Sequence, residues 1–149
     1  MYKNILVAID IAEDDIFGEG LTSKLPPHVE YMADKTHTNV HFFTVIPFFP
    51  NFASYAREYD VLLDERNKIT DKALSKLISI TKIFNINPAN THHHVKTGSP
   101  IDQILRLSTD INADLIIIGS RQPTITTRLL GSTAAAVVRY AKASVLVVR

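Results

Sequence analysis

The feature that most constrains the fold of this chain is a short apolar run that ends in glycine and serine. Residues 115–118 are Leu-Ile-Ile-Ile, four consecutive apolar residues of which three are β-branched. Such a run predicts a strand that is buried on both faces of a sheet. Gly119 and Ser120 follow, and a Gly-Ser pair allows the chain to turn sharply and a ligand to approach its backbone.

A loop rich in hydroxyl groups leads from this strand to a second apolar stretch. Gly131, Ser132 and Thr133 open that stretch, which continues to Tyr140 and has the pattern of a helix. Glycine, hydroxyls and the N–H groups of a first helical turn can together bind phosphate. Open α/β sheets bind ligands at this place, beyond the carboxyl ends of their strands. An ordinary strand-loop-helix connection has the same composition, because short glycine motifs are not specific, so both interpretations stay open.

Strand and helix patterns alternate along the whole chain. Ser99 and Pro100 mark the strongest helix start, with Ser99 as the cap and Pro100 at the first helical position. Because helical segments separate the strands, the pattern predicts parallel pairing in a single doubly wound (Rossmann-like) α/β domain over residues 1–149. The predicted strands are 5–9, 40–46, 91–95, 115–118 and 144–149, and the predicted helices are 27–35, 60–84, 100–112 and 134–140.

The helix predicted for residues 60–84 has two different faces. Its apolar side chains fall on one face, at spacings of seven, four, four, three and four: Leu62, Ile69, Ala73, Leu77, Ile80 and Phe84. The other face carries Lys68, Asp71, Lys72 and Lys76, and we predict that it is a solvated surface.

Composition excludes several classes of function. The chain has 149 residues, 46% of them hydrophobic, which favours a globular protein over a disordered one. A net charge of +1 gives no general attraction to nucleic acid or to an acidic membrane. The absence of cysteine excludes disulfides, thiol catalysis and zinc sites with sulfur ligands. With no stretch suited to a signal peptide or a membrane span, we expect a soluble cytoplasmic protein that binds neither nucleic acid nor membrane.

Asp10 is a candidate site residue at the end of the first predicted strand. If the strands are parallel, its carboxylate lies on the same sheet edge as the Gly119 loop. A carboxylate at this position can also simply cap the turn that follows. The sequence leaves these two roles open.

The run His92-His93-His94 raises the question of a metal site. In a strand, however, His92 and His94 point to one face and His93 to the other, and the sequence nearby offers no Cys, Asp or Glu as a further ligand. We therefore predict an edge-like strand with partly exposed imidazoles and no metal site. His41 stands alone in the second strand, and we predict a structural role for it.

Several of these segments resemble the universal stress proteins, and together they extend over essentially the whole chain. The resembling segments are 2–10, 41–47, 94–100 and 114–149. The ending is the most specific part, with Leu129-Leu130-Gly131-Ser132 followed by the last strand, and segments 121–123 and 125–127 resemble the bacterial F/G branch. The resemblance implies an adenine-nucleotide-binding α/β domain, usually dimeric, with a five-stranded parallel sheet in the order 3-2-1-4-5.

The resemblance also implies which residues hold the nucleotide. Members that bind ATP carry the pattern G-x2-G-x9-G-[S/T], in which glycines and hydroxyls hold ribose and phosphates, while the first two strands hold adenosine. The implied nucleotide-binding residues are Ala8, Ile9, Asp10, Val45, Ile118, Gly119, Ser120, Arg121, Pro123, Gly131, Ser132 and Thr133. Gln122 stands where the pattern has its second glycine, and eleven residues separate Gly119 from Gly131 where the pattern has twelve. Arg121 can partly compensate by pairing with phosphate.

The implied cofactor is ATP or ADP, with Asp10 in a position to contact a bound Mg²⁺. From Gly119 to Thr133 the chain has no Asp, Glu, His or Lys, whereas a hydrolase needs groups that activate water and hold a metal. We therefore predict a nucleotide-binding stress-response protein with little or no turnover and no catalytic residue. The alternatives are a nucleotide-free dimeric interaction module and a slow ATPase or self-phosphorylating protein.

The last strand predicts how the protein assembles. In the strand order that the resemblance implies, this strand lies at an edge of the sheet, and its apolar residues would leave that edge uncovered. Two such strands can cover each other across a two-fold axis. We therefore predict a homodimer through the C-terminal strand.

Overall fold

Five parallel strands and four α-helices alternate along the part of the chain that the structure describes. A computed structural model describes residues 1–11, 21–46, 59–120 and 130–149, with the backbone alone for 59–64. The strands are β1 Asn4–Ala8, β2 Asn39–Ile46, β3 Thr91–Thr97, β4 Leu115–Gly119 and β5 Ser144–Val148. The helices are α1 Pro26–Met32, α2 Tyr59–Thr81, α3 Pro100–Asp110 and α4 Ser132–Tyr140. The sheet order is β3-β2-β1-β4-β5, which confirms the predicted α/β fold and strand order.

The centre of the sheet is apolar on both faces. Strand β4 pairs with β1 so that Ile116 lies opposite Leu6, and both side chains are fully buried. One face of the sheet packs against α1 and α2 through a core that includes Leu77, and the other face packs against α3 and α4 through a core that includes Val137. The prediction of a central strand buried on both faces is confirmed.

The helix boundaries follow local sequence signals. Helix α3 begins as predicted, because Ser99 Oγ accepts a hydrogen bond from the Asp102 N–H at 3.5 Å and Pro100 is the first helical residue. Helix α1 ends at Met32, three residues before its predicted end at Lys35, because the next residues leave helical geometry. Asp34 begins a turn there, since its carboxylate accepts the Thr36 N–H at 2.8 Å. None of the described helices is long and apolar enough to cross a membrane.

The sheet has two edges, β3 and β5. Strand β5 pairs with β4 on one side only, and three of its apolar side chains, Val145, Leu146 and Val147, are half-buried. The edge position predicted for the last strand is therefore confirmed.

Candidate functional site

A cavity of about 850 Å³ opens at the carboxyl ends of β1, β2 and β4. Its walls come from these strand ends, from the starts of α3 and α4, from a 3₁₀ turn at Leu21–Lys24 and from one face of α2. The volume lies within the range of roughly 300–1,000 Å³ that is usual for small-molecule sites. The position is the one at which open α/β sheets bind ligands.

All the predicted site residues that the structure describes line this cavity. They are Ala8, Ile9, Asp10, Val45, Ile118, Gly119, Ser120, Gly131, Ser132 and Thr133. Arg121 and Pro123 lie outside the described residues. The fold therefore brings together segments that are far apart in sequence, while their part in binding stays a prediction.

The end of β1 carries Asp10 to the rim of the cavity. Strand β1 ends at Ala8, but the Ile9 N–H still donates to the Phe43 carbonyl at 2.8 Å and prolongs the pairing with β2 by one residue. Ile9 is buried and Asp10 is exposed. The carboxylate is therefore at the mouth of the cavity, where a ligand or a solvated cation can reach it.

Ser120 ties the end of β4 to the start of α4. Its side chain is only 4% exposed. The Ser120 N–H donates to the Val148 carbonyl at 2.8 Å, and its Oγ accepts the Gly131 N–H at 2.9 Å. The Gly131 N–H is thus occupied within the protein, although the sequence suggested it as a phosphate donor.

The first turn of α4 supplies the remaining donors. The helix begins at Ser132, and among the described residues no side chain caps it. Ser132 is exposed, Thr133 is half-buried, and both line the cavity together with Ala134. First-turn N–H groups lack intrahelical acceptors, and the helix dipole favours a negative charge beside them. This wall of the cavity can therefore bind an anion.

Gly119 lies in close contact with a side chain of the protein itself. A methyl group added to its Cα would overlap with Cγ and Cδ2 of Leu21, which belongs to the 3₁₀ turn. The sequence suggested that this glycine lets a ligand approach the backbone. The structure shows that Leu21, itself a lining residue, comes close at this point.

One wall of the cavity was missed by the sequence reasoning. The face of α2 that borders the cavity consists of Ile69, Lys72, Ala73 and Lys76, which are related by steps of three and four residues and so lie side by side. Lys72 and Lys76 are exposed, as predicted for the solvated face. Their positions next to Ile69 and Ala73 in the helical repeat were the available signal that they also border the apolar side.

The histidines form a separate group on the first halves of β2 and β3. His41 Nδ1 lies 3.0 Å from His94 Nε2, and the His41 ring stacks on that of His92 with the ring centroids 4.5 Å apart. His93 points to the opposite face, where its Nε2 lies 2.7 Å from Thr81 Oγ1. The predicted directions of the three consecutive histidines are confirmed, but the prediction that His41 stands alone is wrong. We call His41, His92 and His94 the imidazole cluster.

Two histidines of the imidazole cluster, His41 and His94, disfavour protonation. Burial, followed by the neighbouring His92 and His94, lowers the pKa of His41 to about 4. Burial also lowers the pKa of His94, with smaller effects from His92, Lys96 and His93. Among the described residues, no set of three His, Cys, Asp or Glu side chains could hold a metal ion. His41 and His94 are therefore harder to protonate than an ordinary histidine.

The chemistry of the cavity suits binding of an anionic molecule that also has an apolar part. Its described lining offers the hydroxyls of Ser132 and Thr133, the ammonium groups of Lys72 and Lys76, and many apolar side chains. Asp10 is the one acidic side chain among these lining residues, which include no histidine. Acid–base catalysis normally requires acidic or histidine side chains near the reacting atoms.

Comparison with known proteins gives a consistent result over the whole chain. Residues 1–149 match the sequence model of the universal stress protein family. The chain is 34% identical to universal stress protein G of Escherichia coli O157:H7 over 149 residues, which cover 100% of both proteins.

Two solved structures are similar to this fold. The structure of the protein MJ0577 has a TM-score of 0.72 and 25% identity, and the match covers 99% of this chain and 96% of that one. A crystal structure of a universal stress protein in complex with cAMP has a TM-score of 0.58 and 23% identity, with 99% and 97% covered.

Proposed function

The chain belongs to the universal stress protein family, and on this premise we propose that it binds ATP or ADP in the cavity at the carboxyl edge of its sheet. Its role is that of a stress-response protein with little or no turnover. The observation that carries the proposal is that one cavity collects Asp10, Val45 and Gly119 with the uncapped start of α4. These are the segments to which the family resemblance assigns the nucleotide.

The two ends of the nucleotide meet different chemistry. Adenosine lies against the ends of β1, β2 and β4, where Val45 and Ile118 offer apolar contact and Asp10 offers a hydrogen-bond acceptor. The phosphates lie at the start of α4, where the N–H groups and hydroxyls of Ser132 and Thr133 donate to them. Ser120 holds this helix start in place through the Gly131 N–H.

The ligand found in a protein of the same fold supports this class of ligand. A universal stress protein has been solved in complex with cAMP, which is an adenine nucleotide. That ligand belongs to the class that we propose for this chain.

A magnesium ion fits the site as a companion of the phosphates. Mg²⁺ is usually held by one or two carboxylates together with phosphate oxygens and water. Asp10 is an exposed carboxylate on the cavity rim and can provide one such ligand. The ion would neutralise phosphate charge, and an Asp10 carboxylate that held it could not also accept a hydrogen bond from adenosine, so these two roles of Asp10 are alternatives.

Nucleotide released from the purified protein tests the proposal. The protein is denatured by heat, and the supernatant is analysed by chromatography and mass spectrometry, while calorimetry measures ATP and ADP binding to nucleotide-free protein. We expect ATP or ADP in the supernatant or saturable binding in calorimetry. No binding at millimolar nucleotide would instead support a nucleotide-free interaction module, which the internal hydrogen bond of Gly131 favours.

We also propose a homodimer formed by β5. This edge strand has half-buried apolar side chains and, among the described strands, pairs only with β4, and pairing with a second copy would cover its free edge. Light scattering at micromolar concentration should give twice the chain mass. Val147→Pro should give the monomer mass, because proline removes an N–H and is poorly tolerated in a paired strand. A folded Val147→Pro protein that remains dimeric would contradict this interface.

A further inference from the structure

We propose that Lys72 and Lys76 form a cationic wall of the cavity that selects nucleotides with two or three phosphates over AMP. This inference rests on the proposed function and assigns to α2 a part in it that the family resemblance does not imply. We refer to these two residues as the lysine pair.

The helical repeat directs the lysine pair toward the cavity. Lys72 and Lys76 are one turn apart and flank Ala73, which is buried, while Ile69 lies one turn before Ala73. All four residues border the cavity. Side chains at such spacings are neighbours on the helix surface, so the two lysines lie side by side next to Ile69 and Ala73.

The charge of the lysine pair is not balanced within the described part of the chain. Neither ammonium group forms an ion pair there, and Asp10 is the one carboxylate among the described lining residues. Two like charges at a spacing of four residues repel each other and slightly destabilise a helix. A polyanion in the cavity removes this repulsion and gains a charge-assisted contact with each group.

The lysine pair and the start of α4 lie on different sides of the site. Helix α2 packs on one face of the sheet, through Leu77, and α4 packs on the other, through Val137. The cavity at the sheet edge is bordered by both helices. A phosphate chain that begins at Ser132 and Thr133 can therefore extend across the edge toward the lysine pair.

The number of phosphates decides whether the lysine pair is used. The single phosphate of AMP is satisfied by the first turn of α4, whereas the β- and γ-phosphates of ATP need further positive charge. The sequence has Gln122 where the family pattern has its second glycine. One glycine at which a phosphate could easily approach the backbone is therefore missing from this loop. The lysine pair supplies the missing attraction from the opposite wall.

The test compares four ligands and four proteins by calorimetry. The ligands are ATP, ADP, AMP and adenosine, and the proteins are wild type, the double variant Lys72→Gln/Lys76→Gln, the charge-conserving variant Lys72→Arg/Lys76→Arg and the control Lys82→Gln. Lys82 is an exposed lysine just beyond the end of α2 and is not among the lining residues. We expect the double variant to weaken ATP binding about tenfold and AMP binding less than about threefold, with adenosine unchanged. Lys82→Gln should match wild type, and Lys72→Arg/Lys76→Arg should retain ATP selectivity.

Inorganic tripolyphosphate provides a second readout. It should compete with ATP for the wild type and compete much less for the double variant, because it engages the lysine pair without any adenosine contact. Circular dichroism and thermal unfolding confirm that the variants are folded, as expected for exposed side chains.

Each outcome separates this inference from the proposed function. If the double variant binds ATP with the wild-type ratio of ATP to AMP affinity, the inference is wrong and nucleotide binding stands. If it loses adenosine and ATP binding equally, the lysines act on the fold, and the inference is again wrong. If wild type binds neither ATP nor adenosine, the proposed function fails and the inference fails with it.

Discussion

The cavity at the carboxyl ends of the strands and the imidazole cluster on the first halves of β2 and β3 are two polar regions of one sheet, and they differ in where their polar groups are directed. In the imidazole cluster, His41 contacts His94 and stacks on His92, so the nitrogen and ring contacts are made within the protein. In the cavity, the start of α4, which no described side chain caps, and the lysine pair border open space. A functional site is better indicated by several polar groups that border the same cavity than by the presence of residue types, such as histidine, that often bind metal ions.

Residue type alone suggests the opposite assignment. Three consecutive histidines are a more conspicuous motif than Gly-Ser-Thr, and histidine is a common metal ligand. Strand geometry divides the histidines between two faces, however, and Thr81 binds His93 on one of them. Glycine and hydroxyl residues, common in loops, occupy the helix start beside the cavity. The two regions differ in whether their polar groups contact other protein groups or border the cavity, and residue composition does not reveal this.

The largest effect is expected from closing the anion side of the cavity. Gly131→Val places a side chain in this lining position and should weaken ATP binding at least about a hundredfold, because two or more charge-assisted contacts are lost. Ser132→Ala removes one hydroxyl and should cost about fivefold. The Gly131 dihedral angles, φ −57° and ψ 152°, are accessible to valine, so the variant should fold. Calorimetry measures the ATP affinity of both variants. If Gly131→Val binds ATP as tightly as wild type does, the polar groups at the start of α4 do not bind the ligand, and the cavity no longer differs from the imidazole cluster in this respect.

A smaller effect is expected from the one cavity residue whose hydroxyl is used internally. Ser120→Ala leaves the Gly131 N–H without its acceptor in a largely buried place. An unsatisfied donor of this kind costs about 1–3 kcal/mol of stability. Urea unfolding should show that loss, with Ser132→Ala as the matched exposed control at less than about 0.5 kcal/mol. Equal stability of the two variants would mean that the Ser120 hydrogen bond does not hold the helix start.

The imidazole cluster should reveal itself through acid sensitivity. The pKa of His41 is about 4 in the folded chain and near 6.5 ordinarily, so the unfolded chain binds more protons between these values. Stability should therefore fall as the pH drops from about 6.5 to about 4, by about 1–2 kcal/mol from His41 after allowing for its partial exposure. The other charged or titratable residues that act on His41 and His94 are His92, His93 and Lys96. Each of them would add positive charge, and none of them would offset the charge of a protonated His41 or His94.

A substitution isolates this contribution from that of the carboxylates. His41→Phe should show a shallower loss of stability over the same pH range in urea unfolding. His28→Gln, which changes an exposed histidine of α1, should follow wild type. Parallel pH profiles for wild type and His41→Phe would show that the cluster does not resist protonation.

The smallest expected effect is that of zinc on the imidazole cluster. The histidines are divided between two faces, and no set of three ligands exists among the described residues. Dialysed protein should retain less than stoichiometric zinc by elemental analysis, and zinc should leave the thermal midpoint unchanged. Stoichiometric zinc that is lost in His92→Ala/His94→Ala would contradict this and would make the cluster a second site.

Local patterns were sufficient to predict the framework of the fold. The apolar run 115–118 predicted a central strand, and the Ser99–Pro100 pair predicted the start of α3, because burial on both faces and helix capping are both encoded by adjacent residues. The strand order came from the family resemblance. Helix α1 was predicted too long because the Asp34 turn competes with the helix.

Contacts between distant segments explain what the sequence did not reveal. His41 meets His92 only because β2 and β3 pair in one particular register. Gly119 meets Leu21 across almost a hundred residues of chain, and the lysine pair reaches the cavity only because α2 packs beside it. The first two contacts have no local sequence signal, and the helical repeat of α2 shows only that the lysines flank its apolar side, so each contact requires the tertiary structure.

The hydrogen bonds of Ser120 bear on how this site can change during evolution. One residue binds the end of β5 through its N–H and the start of α4 through its hydroxyl, so both ends of the intervening segment are fixed independently of that segment's length. Insertions and deletions between these anchors are then of low energetic cost, since the free energy of loop closure changes slowly with length. The loss of one residue relative to the family pattern is a change of this kind. The length of this loop can therefore change without disturbing the two hydrogen bonds that fix its ends.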